Sequence, residues 1–152
     1  MSAPPQIAVR HPLAVVFLLH IALEVPIALQ GLWSPVSLPF LQLTNTTLIF
    51  IKMYSALVAG LCIAALLMFP LPEFLPGKRA LGLALCFYHV TCSTILYNAP
   101  RFIPHTLGPL AESYKITPEL VWGTGHGIVG FSFAIWWQLT VGIARLAHQK
   151  TQ

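Results

Sequence analysis

Residues 46–69 have the sequence TTLIFIKMYSALVAGLCIAALLMF, in which Lys52 is the one charged residue. An α-helix of about 20 predominantly apolar residues crosses the hydrocarbon core of a bilayer. Three further segments, residues 12–32, 80–98 and 119–147, are also long and apolar, and proline-containing stretches separate the four. The sequence therefore predicts an all-α membrane protein, a four-transmembrane-helix up-down bundle in which residues 1–152 form a single integral membrane domain.

Composition and charge agree with a multi-pass membrane protein and argue against a soluble one. Only 8% of the 152 residues are charged, and the mean hydropathy is +0.77. The basic residues are dispersed near the ends of the spans, so nucleic acid is not an expected partner. If the helices alternate in direction, the positive-inside rule places both termini in the cytoplasm. The cytoplasmic side then carries Arg10, Lys78, Arg79, Arg145 and Lys150, and the opposite side carries Arg101 and Lys115.

Local patterns predict how the spans begin and pack. Thr117 is expected to cap the fourth span, and the connection PLPEFLPGKR at residues 70–79 is expected to be a tight, mostly solvated turn. Small residues on one helix face allow two helices to approach closely. Two such faces are expected to contact other helices of the bundle: Ala56, Gly60 and Ala64 on the second span, and Gly123, Gly127 and Gly130 on the fourth.

Five ionisable side chains lie inside the predicted spans, where such groups are costly and usually face the bundle interior. They are His20, Glu24, Lys52, His89 and His126. Counting inward from the non-cytoplasmic ends at 1.5 Å per residue places four of them at one depth, roughly 10–14 Å below that surface. His20 is one turn deeper, on the same face as Glu24. The sequence thus predicts a polar layer to which all four spans contribute.

Other polar or aromatic side chains extend this layer. Ser93 and Tyr97 continue the helical face of His89, Trp122 lies one turn above His126, and Ser55 lies one turn below Lys52. The predicted ligand-binding set is therefore His20, Glu24, Lys52, Ser55, His89, Ser93, Tyr97, Trp122 and His126. Tyr54 and Tyr88 are expected to point elsewhere. A purely structural alternative is an ion pair between Glu24 and Lys52 that locks the first two spans together.

Three functional interpretations follow from the layer. The first is a site for a lipid-like molecule, such as a sterol, isoprenoid or acyl chain, in a binding or accessory role in lipid metabolism. The second is an enzyme for proton-transfer isomerisation or cyclisation, with Glu24, His89 and His126 as catalytic residues. The third is a Zn²⁺ or iron site, which an ammonium group at Lys52 would oppose.

The sequence leaves the biological setting open. Membrane lipids or an apolar small molecule are the expected partners, and a homo-oligomer or a helper subunit of a larger membrane complex is an alternative. No motif identifies a cofactor. Endomembrane location, in the endoplasmic reticulum, is the expectation.

The stretch Phe87-Tyr88-His89-Val90-Thr91-Cys92-Ser93-Thr94 resembles the histidine-bearing third span of the EXPERA family. These four- and five-helix membrane proteins act on or bind sterols and sigma-type ligands, and their helix number and topology resemble those inferred here. The resemblance implies a lipid-like ligand. The chain contains no Asp, whereas the family's ligand-binding acids on early helices are commonly Asp, and its first connection is shorter. No residue role is therefore carried over.

Overall fold

The computed structural model describes residues 11–149, apart from the side chains of residues 146–148. Within this range the regular elements are all helical. Short 3₁₀ turns at Pro12–Val15 and Pro35–Ser37 flank the first helix. The α-helices are α1 (Val16–Trp33), α2 (Asn45–Met68), α3 (Pro76–Asn98), α4 (Pro109–Ser113), α5 (Pro118–Leu139) and α6 (Val141–Gln149).

Four helical segments are long and apolar enough to cross a membrane, which confirms the predicted number of spans. They are Pro12–Trp33, Asn45–Met68, Pro76–Asn98 and Pro118–Arg145. The third begins a turn earlier than predicted, and the predicted last span is divided at Thr140 between α5 and α6. Two basic residues used in the charge argument, Arg10 and Lys150, lie outside the described residues.

The helix starts follow the expected capping chemistry. The Thr117 hydroxyl accepts a hydrogen bond from the Leu120 amide, with Pro118 at the first helical position and Glu119 in the first turn. This confirms the predicted cap of the fourth span. At α2, the Thr44 hydroxyl likewise accepts from the amide of Thr47 at 3.2 Å. Each hydroxyl satisfies one of the backbone donors that a helix start leaves unpaired.

The bundle consists of two closely packed helix pairs, because α1 packs mainly on α2, and α3 on α5, while α1 also contacts α5. Glycines permit the close approaches. A Cβ at Gly31 would overlap the Ser55 side chain, and a Cβ at Gly82 would overlap the Trp136 ring. Between the pairs, the Phe17 ring meets the rings of Phe133 and Trp136 edge-on, at centroid distances of 5.2 and 5.1 Å.

One of the two predicted small-residue faces contacts another helix, and the other does not. On α5, Gly123, Gly127 and Gly130 all face side chains of α3, as expected. On α2 the prediction is wrong, because Gly60 has no heavy atom within 4 Å of where its Cβ would be. The buried face of α2 instead carries Ser55, Val58, Cys62 and Ala65.

The connection between α2 and α3 is more buried than predicted. Lys78 is fully buried and Glu73 is 3% exposed, so the expected solvated turn is wrong at both residues. The Lys78 ammonium donates to Glu73 Oε1 at 3.0 Å and to the Leu71 carbonyl at 2.7 Å. The Trp136 indole N–H donates to Glu73 Oε2 at 3.0 Å. This buried ion pair therefore ties the connection to α5.

The connection between α3 and α4 is held over the other end of the bundle. Glu119 Oε1 accepts hydrogen bonds from the amides of Phe102 and Ile103 at 2.9 and 2.8 Å. The Leu41 amide donates to the Phe102 carbonyl at 2.9 Å, and the Phe40 and Phe102 rings pack 5.5 Å apart. Two connections thus meet above the space between α2, α3 and α5.

Candidate functional site

Four polar side chains from three helices meet in the bundle interior. His20 and Glu24 come from α1, His89 from α3 and His126 from α5, and none is more than 1% exposed. The spacing of His20 and Glu24 places both on one face of α1. We call these four residues the histidine–glutamate cluster.

The three imidazoles form a continuous series of contacts. His20 Nδ1 lies 2.9 Å from His89 Nε2, and His89 Nδ1 lies 2.9 Å from His126 Nδ1. At the far side of His20, Nε2 lies 3.8 Å from Cys62 Sγ. A neutral imidazole has one donor and one acceptor nitrogen, so His20 and His89 can each donate to one neighbour and accept from the other.

Glu24 lies beside this series, with a carboxylate oxygen that lacks a hydrogen-bond donor. Its Oε1 is 3.5 Å from His126 Nδ1 and 3.9 Å from His89 Nδ1, yet it accepts no hydrogen bond among the described residues. A buried carboxylate oxygen in this state is costly, because its interactions with water have not been replaced. One oxygen of Glu24 and one nitrogen each of His20 and His89 also lie within 4.8 Å of one another.

Lys52 does not join the cluster. Its side chain is exposed on α2, whereas Ser55, three residues later, is buried against Gly31. The predicted Lys52 position in the layer is therefore wrong, and so is the proposed pairing with Glu24. Among the described residues, the side chains within ion-pair distance of Glu24 are His89 and His126.

Tyr88 joins the cluster although the sequence pattern placed it elsewhere. Its ring packs on those of His20, His89 and His126, with centroids 5.0–6.3 Å away. Its hydroxyl shares a hydrogen bond with the Tyr54 hydroxyl and is close enough to Glu24 to interact with the carboxyl group. Tyr54 is 38% exposed, so this pair of hydroxyls links the buried cluster to the bundle surface.

The remaining predicted ligand-binding residues have different environments. Trp122 packs on His126, with ring centroids 6.0 Å apart. Ser93 is half-buried and lies against Gly127. Tyr97 is exposed, and its hydroxyl is 2.6 Å from Thr124 Oγ1. Ser55 is buried without a hydrogen-bond partner among the described residues. Of these four, Trp122 is the residue in ring contact with the cluster.

A cleft of about 190 Å³ reaches the cluster from the side of the bundle. Its walls are almost entirely apolar, and Tyr54 and His126 are among the residues that line it. The lining residues are Phe40, Tyr54, Cys92, Ile95, Leu96, Phe102, Trp122 and His126. The Glu119-anchored connection contributes Phe102, so the same contacts that fix this connection also shape the cleft.

The chain matches no family model, and comparisons with curated proteins and with solved structures also give no match.

Proposed function

We propose that the protein binds an apolar, lipid-like molecule that carries a polar group at one end, with this group beside His126. The observation that supports the proposal is the lateral cleft, which combines apolar walls with the edge of a buried polar cluster. Ligand sites commonly have this composition: mostly apolar lining with a few convergent polar groups.

The size of the cleft indicates how much of the ligand it holds. Pockets that enclose a drug-sized molecule have volumes of roughly 300–1,000 Å³. At about 190 Å³ the cleft suits one end of a molecule, such as the hydroxyl-bearing end of a sterol or isoprenoid. The rest of the ligand would remain between the helices and the lipid. Because α2, α3 and α5 flank the opening, a ligand would enter from within the bilayer.

Photo-crosslinking with a photoactivatable sterol tests this proposal. Ile95 lines the cleft and Ile63 does not, yet both are 60% exposed on the bundle surface. Ile95→Trp should therefore obstruct the cleft, and Ile63→Trp is its matched control. Overpacking costs about 1–3 kcal/mol, so apparent affinity in the Ile95→Trp protein should fall about 5- to 150-fold.

The polar end of the ligand is tested with the methyl ether of the same probe. If His126 binds a hydroxyl group, the ether should label the wild-type protein less efficiently than the free sterol. Equal labelling of the Ile95→Trp and Ile63→Trp proteins would refute binding in this cleft.

A second candidate function is proton-transfer catalysis on such a molecule, supported by the continuous contacts from Glu24 through His126 and His89 to His20. Pairing with Lys52 would make the Glu24 carboxyl group a poor acid, but Lys52 is exposed on α2 and does not pair with Glu24. Glu24→Gln preserves the shape of the side chain and removes its acid function. The variant should retain sterol labelling and lose deuterium incorporation into an unsaturated substrate in D₂O. A wild-type protein that introduces no deuterium would contradict catalysis by proton transfer.

A further inference from the structure

We propose that His20, Glu24 and His89 bind a divalent transition-metal ion of the Zn²⁺ or Fe²⁺ type in the interior of the bundle. Two imidazoles and one carboxylate are a ligand set of catalytic zinc sites and of non-haem iron(II) sites. Mg²⁺ and Ca²⁺ prefer all-oxygen sites, so the two histidines favour a transition metal. None of these three ligands lines the apolar cleft, although their neighbour His126 does.

The ligand atoms are near the separations that a metal requires. One atom from each of the three residues lies within 4.8 Å of the others. Ligands at 2.0–2.1 Å from a tetrahedral ion are about 3.3 Å apart. The facing nitrogens, His20 Nδ1 and His89 Nε2, are 2.9 Å apart, so these two rings need to separate only slightly to admit an ion.

The opposite ring nitrogens already have partners. A metal-bound histidine usually donates its second N–H group to an acceptor, which fixes the tautomer and orients the ring. For His20 that partner is Cys62 Sγ, 3.8 Å from Nε2, and for His89 it is His126 Nδ1, 2.9 Å from the His89 Nδ1 atom. His126 is thus a positioning residue for the site.

Charge supports the same conclusion. Glu24 Oε1 is buried and accepts no hydrogen bond among the described residues. A cation at the site would provide the interaction that this oxygen lacks. Lys52, whose ammonium group would oppose a metal ion, is exposed on α2 and outside the cluster.

Elemental analysis tests the proposal on the full-length chain, purified in mild detergent with a tag that lacks histidine. The wild-type protein should contain stoichiometric zinc or iron, either as isolated or after incubation with the ion and desalting. His20→Ala, His89→Ala and Glu24→Gln should lose it. The matched control, His105→Ala, changes an exposed histidine outside the bundle and should retain it. His126→Ala should weaken affinity about 10–100-fold, as loss of an outer-shell partner does.

A spectroscopic measurement on the wild-type protein covers the case in which the variants do not fold. Loading with Co²⁺ should produce visible absorption bands that Zn²⁺ abolishes. A wild-type protein that takes up neither zinc nor iron and gives no Co²⁺ bands would overturn the proposal, and so would folded His20→Ala and His89→Ala proteins that retain the metal. Ile95→Trp should leave metal content unchanged, so failure of the metal site and failure of the lipid-binding proposal are distinguishable.

Discussion

Replacing Lys78 with methionine removes the cation that neutralises a buried carboxylate. The Lys78 ammonium contacts Glu73 Oε1 at 3.0 Å and the carbonyls of Leu71 and Phe69 at 2.7 and 3.3 Å. Glu73 is 3% exposed, so its charge would lose this partner in an apolar environment. Breaking a buried ion pair by removing one partner costs about 3–5 kcal/mol, and we expect a loss of this size in the free energy of unfolding.

The double variant Lys78→Met/Glu73→Gln separates the unpaired charge from lost packing. Glutamine keeps an oxygen that can accept the Trp136 indole N–H, which lies 3.0 Å from Glu73 Oε2. No buried charge then remains at either position. The double variant should therefore be more stable than Lys78→Met alone, with a coupling energy of about 0.5–3 kcal/mol.

Unfolding in detergent, followed by far-ultraviolet circular dichroism during titration with dodecyl sulfate, measures these differences. Lys115→Met is the control because Lys115 is exposed, and it should change stability by about 0.5 kcal/mol or less. A loss under about 1 kcal/mol for Lys78→Met, the size typical of a surface ion pair, would refute the reasoning. A double variant less stable than Lys78→Met would do so as well.

Two further variants test the contacts that shape the bundle. Gly82→Ala places a methyl group against the Trp136 ring and should destabilise the protein by about 1–3 kcal/mol in the same unfolding assay. The control, Gly60→Ala, adds a methyl group in open space and should not destabilise it. Equal effects of the two substitutions would contradict the packing of Gly82 on Trp136. Glu119→Ala removes the carboxylate that accepts hydrogen bonds from two amides of the 99–108 connection, so both amides should exchange hydrogen faster. The free energy of unfolding should fall by about 1–3 kcal/mol. Glu112→Ala, at an exposed position, is its control, and unchanged exchange in the Glu119 variant would count against the contact.

The sequence predicted the long helices well because their signal is local. Apolar length and proline-rich breaks give the number of spans, and the Thr117–Pro118–Glu119 pattern predicts the start of α5. The same reasoning missed the break at Thr140, which divides the last predicted span. Helix composition alone does not show where a long apolar segment is interrupted.

The height of a residue along a helix was easier to predict than the direction of its side chain. Counting from the span ends grouped Glu24, His89 and His126, which the structure brings together. The same count wrongly placed Lys52 with them. Lys52 is exposed, because the direction of a side chain on α2 depends on which neighbouring helix α2 packs against. Tyr88 was missed because side chains of α3 contact more than one helix: His89 contacts α1 and α5, and Tyr88 contacts Tyr54 of α2, so two adjacent residues can both face the interior.

The arrangement of the bundle as two helix pairs bears on how the protein is made. The first pair carries His20 and Glu24, and the second carries His89 and His126. Neither pair holds the complete cluster, and α5 is the last of these four helices to leave the ribosome. A chain that ends before Pro118 lacks one of the two imidazoles beside Glu24. The polar site can therefore form only after α5 has been inserted, and until then Glu24 has to be accommodated without the imidazole of His126.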